Sequence, residues 1–369
     1  MAQIRSVQAL RAIAALSVVL GHLQTEALTM PAATSSGYRP IILNLTGAGV
    51  DLFFVISGFV MVYASRELLQ SADGGWLFLK RRIARIVPFY WMMTTLFLLT
   101  MVLMPHALSS AAPTGVEVLK SYLFIPYAHA GADVILPVYK LGWTLDYEMF
   151  FYFVFAALLF LPMRWRISVI TILFSGLVAL GATLSPSPGI LSFWTNPIIL
   201  EFVMGAFIAM ALLQGWRMGS GSAIGLLFLG VCGFALTTIV DLDAHGSWRP
   251  LLWGLPAALI VAAAALKDEA IVPAGRAMGF LVASGDASYA LYLLHPMIIR
   301  ALRLIWDRIG LSSSLSPWIF IGVALAILMP LSLFVHGRIE RPMTKYAQKL
   351  LAFRRVAAPS PRFAKTRLQ

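Results

Sequence analysis

Cysteine is almost absent from this chain: Cys232 is the only one in 369 residues, and it lies in an apolar run. No intramolecular disulfide can form and no cysteine-based metal cage can be assembled. The His and carboxylate spacings show no zinc pattern either, so no metal site is expected. Charge is scarce as well. Charged residues make up 12% of the sequence, whereas a soluble domain carries about a quarter, which excludes an ordinary cytosolic enzyme. The same composition excludes disorder and collagen-like repetition. No internal repeat is visible, which counts against transporters built from repeated halves. Negative charge is the scarcer sign, with 16 Asp and Glu against 28 Lys and Arg and a net charge of +12. Such an excess could suit nucleic acid, but these basic residues flank apolar runs, where they set membrane orientation. No nucleic-acid partner is expected.

What the chain does have is apolar length: 60% hydrophobic residues and a mean hydropathy of +0.83. Runs of near-spanning length recur around 7–25, 45–65, 84–104, 145–163, 167–184, 196–214, 222–240, 250–266, 278–302 and 316–336. The expected fold is an all-α integral membrane bundle of about ten transmembrane helices, with membrane lipids around it. With the N-terminus cytoplasmic, the inner side collects Arg5, Arg66, Lys80, Arg81, Arg82, Arg85, Arg164, Arg166, Arg217, Lys267, Arg276 and the segment beyond Arg338. The outer loops then hold little more than Arg39, Lys120, Lys140, Arg249 and Arg308. That bias obeys the positive-inside rule and would not survive a count of eight or eleven, so both termini are predicted cytoplasmic. The first run resembles a signal peptide, yet Arg11 interrupts it and no small-residue cleavage site follows promptly, which favours a retained first helix. Residues 1–342 are read as one transmembrane domain and 343–369 as a basic cytoplasmic tail, solvated or against headgroups. The longest segment between runs, 105–142, is too short for a domain.

An ionisable group inside a bilayer costs about 2.5–3.5 kcal/mol on insertion scales, so each needs a partner or a task. Arg11 and His22 lie eleven residues apart, which returns a helix to within roughly 20° of the same face after about 17 Å. A snorkelling Arg and an interfacial His would explain that pair as well. Because successive helices alternate direction, Asp51, Asp146, Glu148, Glu201, His22 and His295 all fall toward the outer half. A histidine beside a carboxylate there would make a general base, while residues at helix ends could equally face headgroups. The inner edge holds KRRIARIVPFYW at 80–91, where Arg82 and Arg85 share a helix face and suit phosphate oxygens. A stop-transfer flank explains the cluster too. Ser57 and Gly58 fall mid-membrane, where glycine most often marks close helix packing. Ser288, Tyr292 and His295 share one face, and Pro296 frees the carbonyl of Tyr292, so a kink with a polar notch is expected there. Trp143, Tyr147 and Phe150 could be an interfacial aromatic belt.

In order and spacing, Arg11 with His22, GVDLFFVISGF, Arg82-x-x-Arg85, LGWTLDYEMFFY, EFVMG from Glu201 and SYALYLLHP resemble the acyltransferase-3 family. The likeness is closest to bacterial members that O-acetylate exopolysaccharide and lipopolysaccharide sugars, and it covers nearly the whole chain. It implies a ten-helix fold in the bacterial inner membrane, a cytoplasmic acyl-CoA donor and an acceptor sugar at the outer face. It implies further that His22 is the catalytic histidine, with Glu148 and Asp51 as candidate catalytic carboxylates. Arg82 and Arg85 would hold the phosphates of CoA, with Arg11, Ser57, Tyr147 and Trp143 as further donor-site candidates. Acetyl-CoA would be a co-substrate, and no permanently bound cofactor is expected. Some relatives append an outer esterase-like domain. Because this sequence stops soon after Glu340-Arg341-Pro342, an acyl relay would need another protein or not exist.

The expected function is therefore acetyl transfer to a hydroxyl of a surface or exported polysaccharide, or of its lipid-linked precursor. Polysaccharide biosynthesis or export proteins are potential partners. Two other readings stay open: a glycan-lipid transporter or flippase, which needs no arginine pair aligned with a distant histidine, and a non-catalytic subunit of an export complex, which leaves the buried carboxylates unexplained. The charge bias alone makes a topological prediction. Reporters fused after Gly215 and at the C-terminus should read cytoplasm, and reporters at Ser110 and His245 the outer side; an inward reporter at His245 would break the ten-helix count.

Overall fold

A membrane interior offers no water to backbone N–H and C=O groups, so a spanning chain must satisfy them within helices or a closed barrel. The computed structural model describes residues 4–41, 46–68, 73–104, 112–128, 135–240, 246–268 and 275–351, and it takes the helical solution. Among the described residues no strand forms, only isolated bridges such as Met218 with Lys267. The main helices are α1 (Arg5–Leu28), α2 (Gly49–Ser65), α3 (Gly74–Leu103), α4 (Gly115–Tyr122), α5 (Trp143–Ala157), α6 (Met163–Leu184) and α7 (Leu200–Leu213). They continue with α8 (Ser220–Ile239), α9 (Leu255–Leu266), α10 (Arg276–Asp286), α11 (Ser288–Arg308), α12 (Pro317–Val335) and α13 (Arg341–Leu350).

Each of the ten apolar runs coincides with a helix or a bent pair. By length and composition seven segments can cross a membrane, or eight if α10 and α11 count as one span bent by 69°. The two remaining runs form α2, with 17 residues, and α5, with 15. Apolar side chains cover the outside, where Ile172, Phe228 and Ile239 are exposed. Of their most apolar windows, α6 buries 17% and α8 22%, against 56% for α1. The first two are therefore peripheral helices with lipid-facing surfaces, and α1 is central.

Small residues set the tightest contact. A Cβ on Gly58 would lie 2.0 Å from the carbonyl oxygen of Phe202, and one on Gly205 would lie 1.9 Å from that of Val55. The backbones of α2 and α7 thus touch, as membrane helices do through small residues. The end of α5 is fixed differently. Arg166, fully buried in the first turn of α6, donates to the carbonyls of Leu158, Leu159 and Leu161. These groups lie just past the last turn of α5, and lipid could not satisfy them. A residue that charge counting assigns to the inner flank is in fact a helix cap.

Two helix junctions add detail to the sequence reading. α11 continues through Pro296, where a kink is expected, and the helix breaks earlier, at Ala287, between segments inclined by 69°. The reason is packing, because a Cβ on Gly285 would lie 2.0 Å from the Gln8 carbonyl oxygen and the Gln8 amide donates to Asp286 at 2.8 Å. That contact pins α10 across the start of α1, and α11 then turns up the bundle. Residues 336–340 form a π-helical turn that carries α12 into α13, which lies beside α3 with none of its residues buried. Residues 352–369 of the expected tail lie outside the described residues, as do 105–111 and 129–134 of the loop.

The α2–α7 seam generates a stability prediction. Gly205→Ala should cost about 1–3 kcal/mol, the range for overpacking, because the obstructing atom is backbone. Gly225→Ala on α8, where a Cβ would meet nothing within 4 Å, should be neutral. Thermal unfolding of both variants in detergent compares them, and equal stability would refute the backbone contact.

Candidate active site

Helix direction brings distant charges together. Arg11 lies near the start of α1, and Arg82 and Arg85 near the start of α3, so all three reach one end of the bundle, here the near end. Between α1, α2, α3, α5 and α11 a cavity of about 120 Å³ opens, far more than the roughly 10–15 Å³ that one water needs. Arg11, Arg82, Arg85 and Tyr289 line it at the near end, Ser57, Glu148 and Tyr152 along its length, and Val50 and Thr144 at the far end. On α2 its wall runs from Met61 to Val50, a rise of about 17 Å. The cavity is therefore long and narrow, cationic at one mouth, with a carboxylate within.

Glu148 is held by its own helix and by α2. Its Oε1 accepts from Ser57 Oγ at 3.0 Å and from Tyr152 OH at 2.6 Å. Four-residue spacing puts Tyr152 over Glu148 and also puts Thr144 on that face. Thr144 Oγ1 shares a hydrogen bond of 3.0 Å with Tyr292 OH, closing the far end. Trp143 and Tyr147 lie one residue earlier in the same repeat, about 100° round the helix, and they do not line the cavity. Tyr147 donates to the Phe193 carbonyl at 2.9 Å and stacks on that ring, while Trp143 meets Phe54 edge-on.

Asp51 points elsewhere. Fully buried, it takes a bidentate pair of hydrogen bonds from Arg249, at 2.9 and 3.0 Å. Glu201, also buried, is its electrostatic neighbour. These are sites 198 residues apart, and Arg249 reads as an outer-loop cation in the sequence. Among the described residues no hydrogen bond or ion pair joins His22 to a carboxylate, and Glu26, four residues on along α1, pairs with Arg300 instead. The His22 imidazole is exposed, and the adjoining ring is that of His295, with centroids 4.9 Å apart. Gly21 abuts Thr46, whereas Gly49 abuts Ala14 and Val18. His22 thus lies about one helical turn beyond the cavity's far end at Val50, behind the wall that Phe53, Tyr292 and His295 form.

The near mouth contains a partner that residue spacing does not reveal. Arg85 forms an ion pair of 2.8 Å with Glu340, whose side chain is fully buried while that of Arg85 is 32% exposed. Glu340 also meets His336 Nδ1 at 2.9 Å across the π-turn. Arg82 instead lies over the rings of Phe78 and Tyr152. Tyr152 could have been found from its four-residue offset to Glu148. Glu340 and Arg249 give no local signal, because their partners lie on other helices.

A family model described as an acyltransferase domain matches residues 4–337. The chain is 34% identical over 324 residues to the exopolysaccharide production protein ExoZ of Rhizobium meliloti (strain 1021), covering 84% of this chain and 95% of that protein. It is 25% identical over 387 residues to the acyltransferase MdmB of Streptomyces mycarofaciens, covering 96% of this chain and 94% of that one. No solved structure matches it.

The Arg85–Glu340 pair carries a prediction separate from catalysis. Arg85→Ala strands a buried carboxylate and should cost about 3 kcal/mol, the low end for breaking a buried pair because Arg85 is partly exposed. Glu340→Gln added to Arg85→Ala should recover part of that loss, since an amide leaves no unpaired charge. Thermal unfolding of the single and double variants in detergent measures this, and strictly additive losses would rule out the pairing.

Proposed function

The chain belongs to the acyltransferase-3 family, and from that premise we propose that it moves acetyl from cytoplasmic acetyl-CoA to a hydroxyl of a surface or exported polysaccharide or its lipid-linked precursor. It is an acyltransferase enzyme, and its apolar helices make it a multi-pass membrane protein. In this reading ten helical segments cross the bacterial inner membrane, both termini are cytoplasmic and the near end of the bundle is the cytoplasmic end. Residues 1–342 are the transferase domain, and 343–369 belong to the cytoplasmic face.

The observation that carries the reading is the cavity with three arginines at its mouth and a histidine pair behind its far wall. Arg11, Arg82 and Arg85 offer guanidinium forks to the phosphates of CoA. The narrow channel past Ser57 and Glu148 takes the pantetheine arm and points the thioester toward Tyr292. Rotation of the Tyr292 and Phe53 rings opens the wall to His22, whose exposed face receives the acceptor. His22 then removes the proton of the sugar hydroxyl as that oxygen attacks the thioester carbon, and the proton passes to the departing CoA sulfur. A transient acyl-His22 would use the same geometry in two steps. Glu148 keeps Ser57 and Tyr152 in place along the channel. Asp51, tied to Arg249, supports the bundle rather than the base. ExoZ's name supports a polysaccharide acceptor here.

Histidine removal tests the assignment. His22→Ala should reduce transfer by about 10²–10⁴ while acetyl-CoA binding to the detergent-purified protein is retained. O-acetyl content of the exported polysaccharide, measured by proton NMR in a deletion strain complemented with each variant, reports transfer. Near wild-type acetylation by well-expressed His22→Ala would remove His22 from the chemistry.

A further inference from the structure

His295 has no assigned task, yet its surroundings are unusual. It is fully buried on α11, and its Nδ1 lies 3.2 Å from the carbonyl oxygen of Leu291. A carbonyl can only accept, so Nδ1 carries the hydrogen and Nε2 is left with a lone pair. That Nε2 is buried with no hydrogen-bond partner. The next residue, Pro296, has no N–H, so this turn of α11 is locally short of donors. The seam around it is apolar, with Val19, Leu23, Leu291 and Ile299 in one buried cluster. Tyr292, whose ring is 6.0 Å away, has its hydroxyl engaged with Thr144 and the Leu141 carbonyl. The polar ring against His295 is His22, at 4.9 Å between centroids with the planes inclined by 56°. The terminal torsion of histidine is broad, and catalytic hydrogen bonds are often long before substrate arrives.

We propose that His295 is a positioning residue for His22: its Nε2 accepts the N–H of one His22 ring nitrogen and so fixes the tautomer in which the other nitrogen faces the acceptor with its lone pair. This rests on the reading of His22 as base or acyl carrier. When His22 takes the hydroxyl proton it becomes an imidazolium with two N–H groups, one still bonded to His295 and the other ready to protonate the CoA sulfur. His295 itself neither gains nor loses a proton. In other enzymes a carboxylate fills this position. A neutral histidine orients the ring without placing a second charge in an apolar seam.

The test uses full-length protein in detergent and two readouts. Diethylpyrocarbonate modifies neutral imidazole nitrogens, and mass spectrometry of the His22 peptide reports its rate at that residue. In His295→Leu the rate at His22 should fall several-fold. In His295→Gln, whose amide oxygen can accept at the Nε2 position, it should be largely retained. Acetyl transfer should follow the same order, with a loss of about tenfold or more for Leu, while acetyl-CoA binding is unchanged in both. Unchanged His22 reactivity in a His295→Leu protein that binds acetyl-CoA normally would overturn the proposal. If His295→Leu does not fold, His295→Asn, whose amide stops short of the Nε2 position, takes its place, and equal reactivity for Asn and Gln overturns it instead. A His22→Ala protein that still transfers acetyl would sink the functional reading alone, because the modification rate tests the histidine pair without reference to the reaction.

Discussion

An ion moved into an apolar interior costs several kcal/mol unless another charge and further hydrogen bonds meet it there, and this bundle is arranged around that cost. Asp51 joins Arg249 and Arg85 joins Glu340 across long stretches of chain, while Arg303 meets Asp307 and Ser312 locally and reaches the carbonyl of Thr29, 274 residues away. The first two pairs each clamp helices that are far apart in sequence. Their ends depend on π-helical turns, Pro250–Gly254 beside Arg249 and His336–Glu340 around Glu340. A π-turn offsets the side chains from the regular helical repeat, and such turns concentrate at functional positions.

The same constraint explains the location of the cavity. Helices that must pair their charges can approach closely only where side chains are small, as at the Gly58 and Gly205 contacts of α2 and α7. On the opposite side of α2 the helices hold aromatic rings and guanidinium groups, which cannot close completely. The channel lined by Arg11, Arg82, Arg85, Ser57 and Glu148 is what remains. Its polarity is graded: cations at the mouth, a hydrogen-bonded carboxylate inside, and hydroxyls at Thr144 and Tyr292 before the histidine pair. The proposed donor, with phosphates at one end and a thin uncharged arm, is placed along that gradient. Arg85 serves both ends of this economy, since it lines the mouth and neutralises Glu340.

The sequence by itself determined the all-helical membrane class, because apolar runs and backbone satisfaction leave a chain of this composition no other solution. It also aligned Arg11 with His22 and Arg82 with Arg85, since helical periodicity is a local property. Even the place of Glu148 beside Tyr152 follows from a four-residue offset. Only the tertiary structure decided which partner each charge meets. Asp51 reads as a candidate for His22 yet meets Arg249, and His22 meets His295, because helix rotation and tilt are set by packing between segments that no local spacing encodes. Trp143 and Tyr147 turn from the cavity while Thr144 and Glu148 face it, a difference of one residue in register that aromatic packing against Phe193 and Phe54 fixes. The break at Ala287 has the same origin: proline weakens a helix locally, but the helix is interrupted where a neighbouring backbone, here at Gln8 against Gly285, gives the chain a reason to turn.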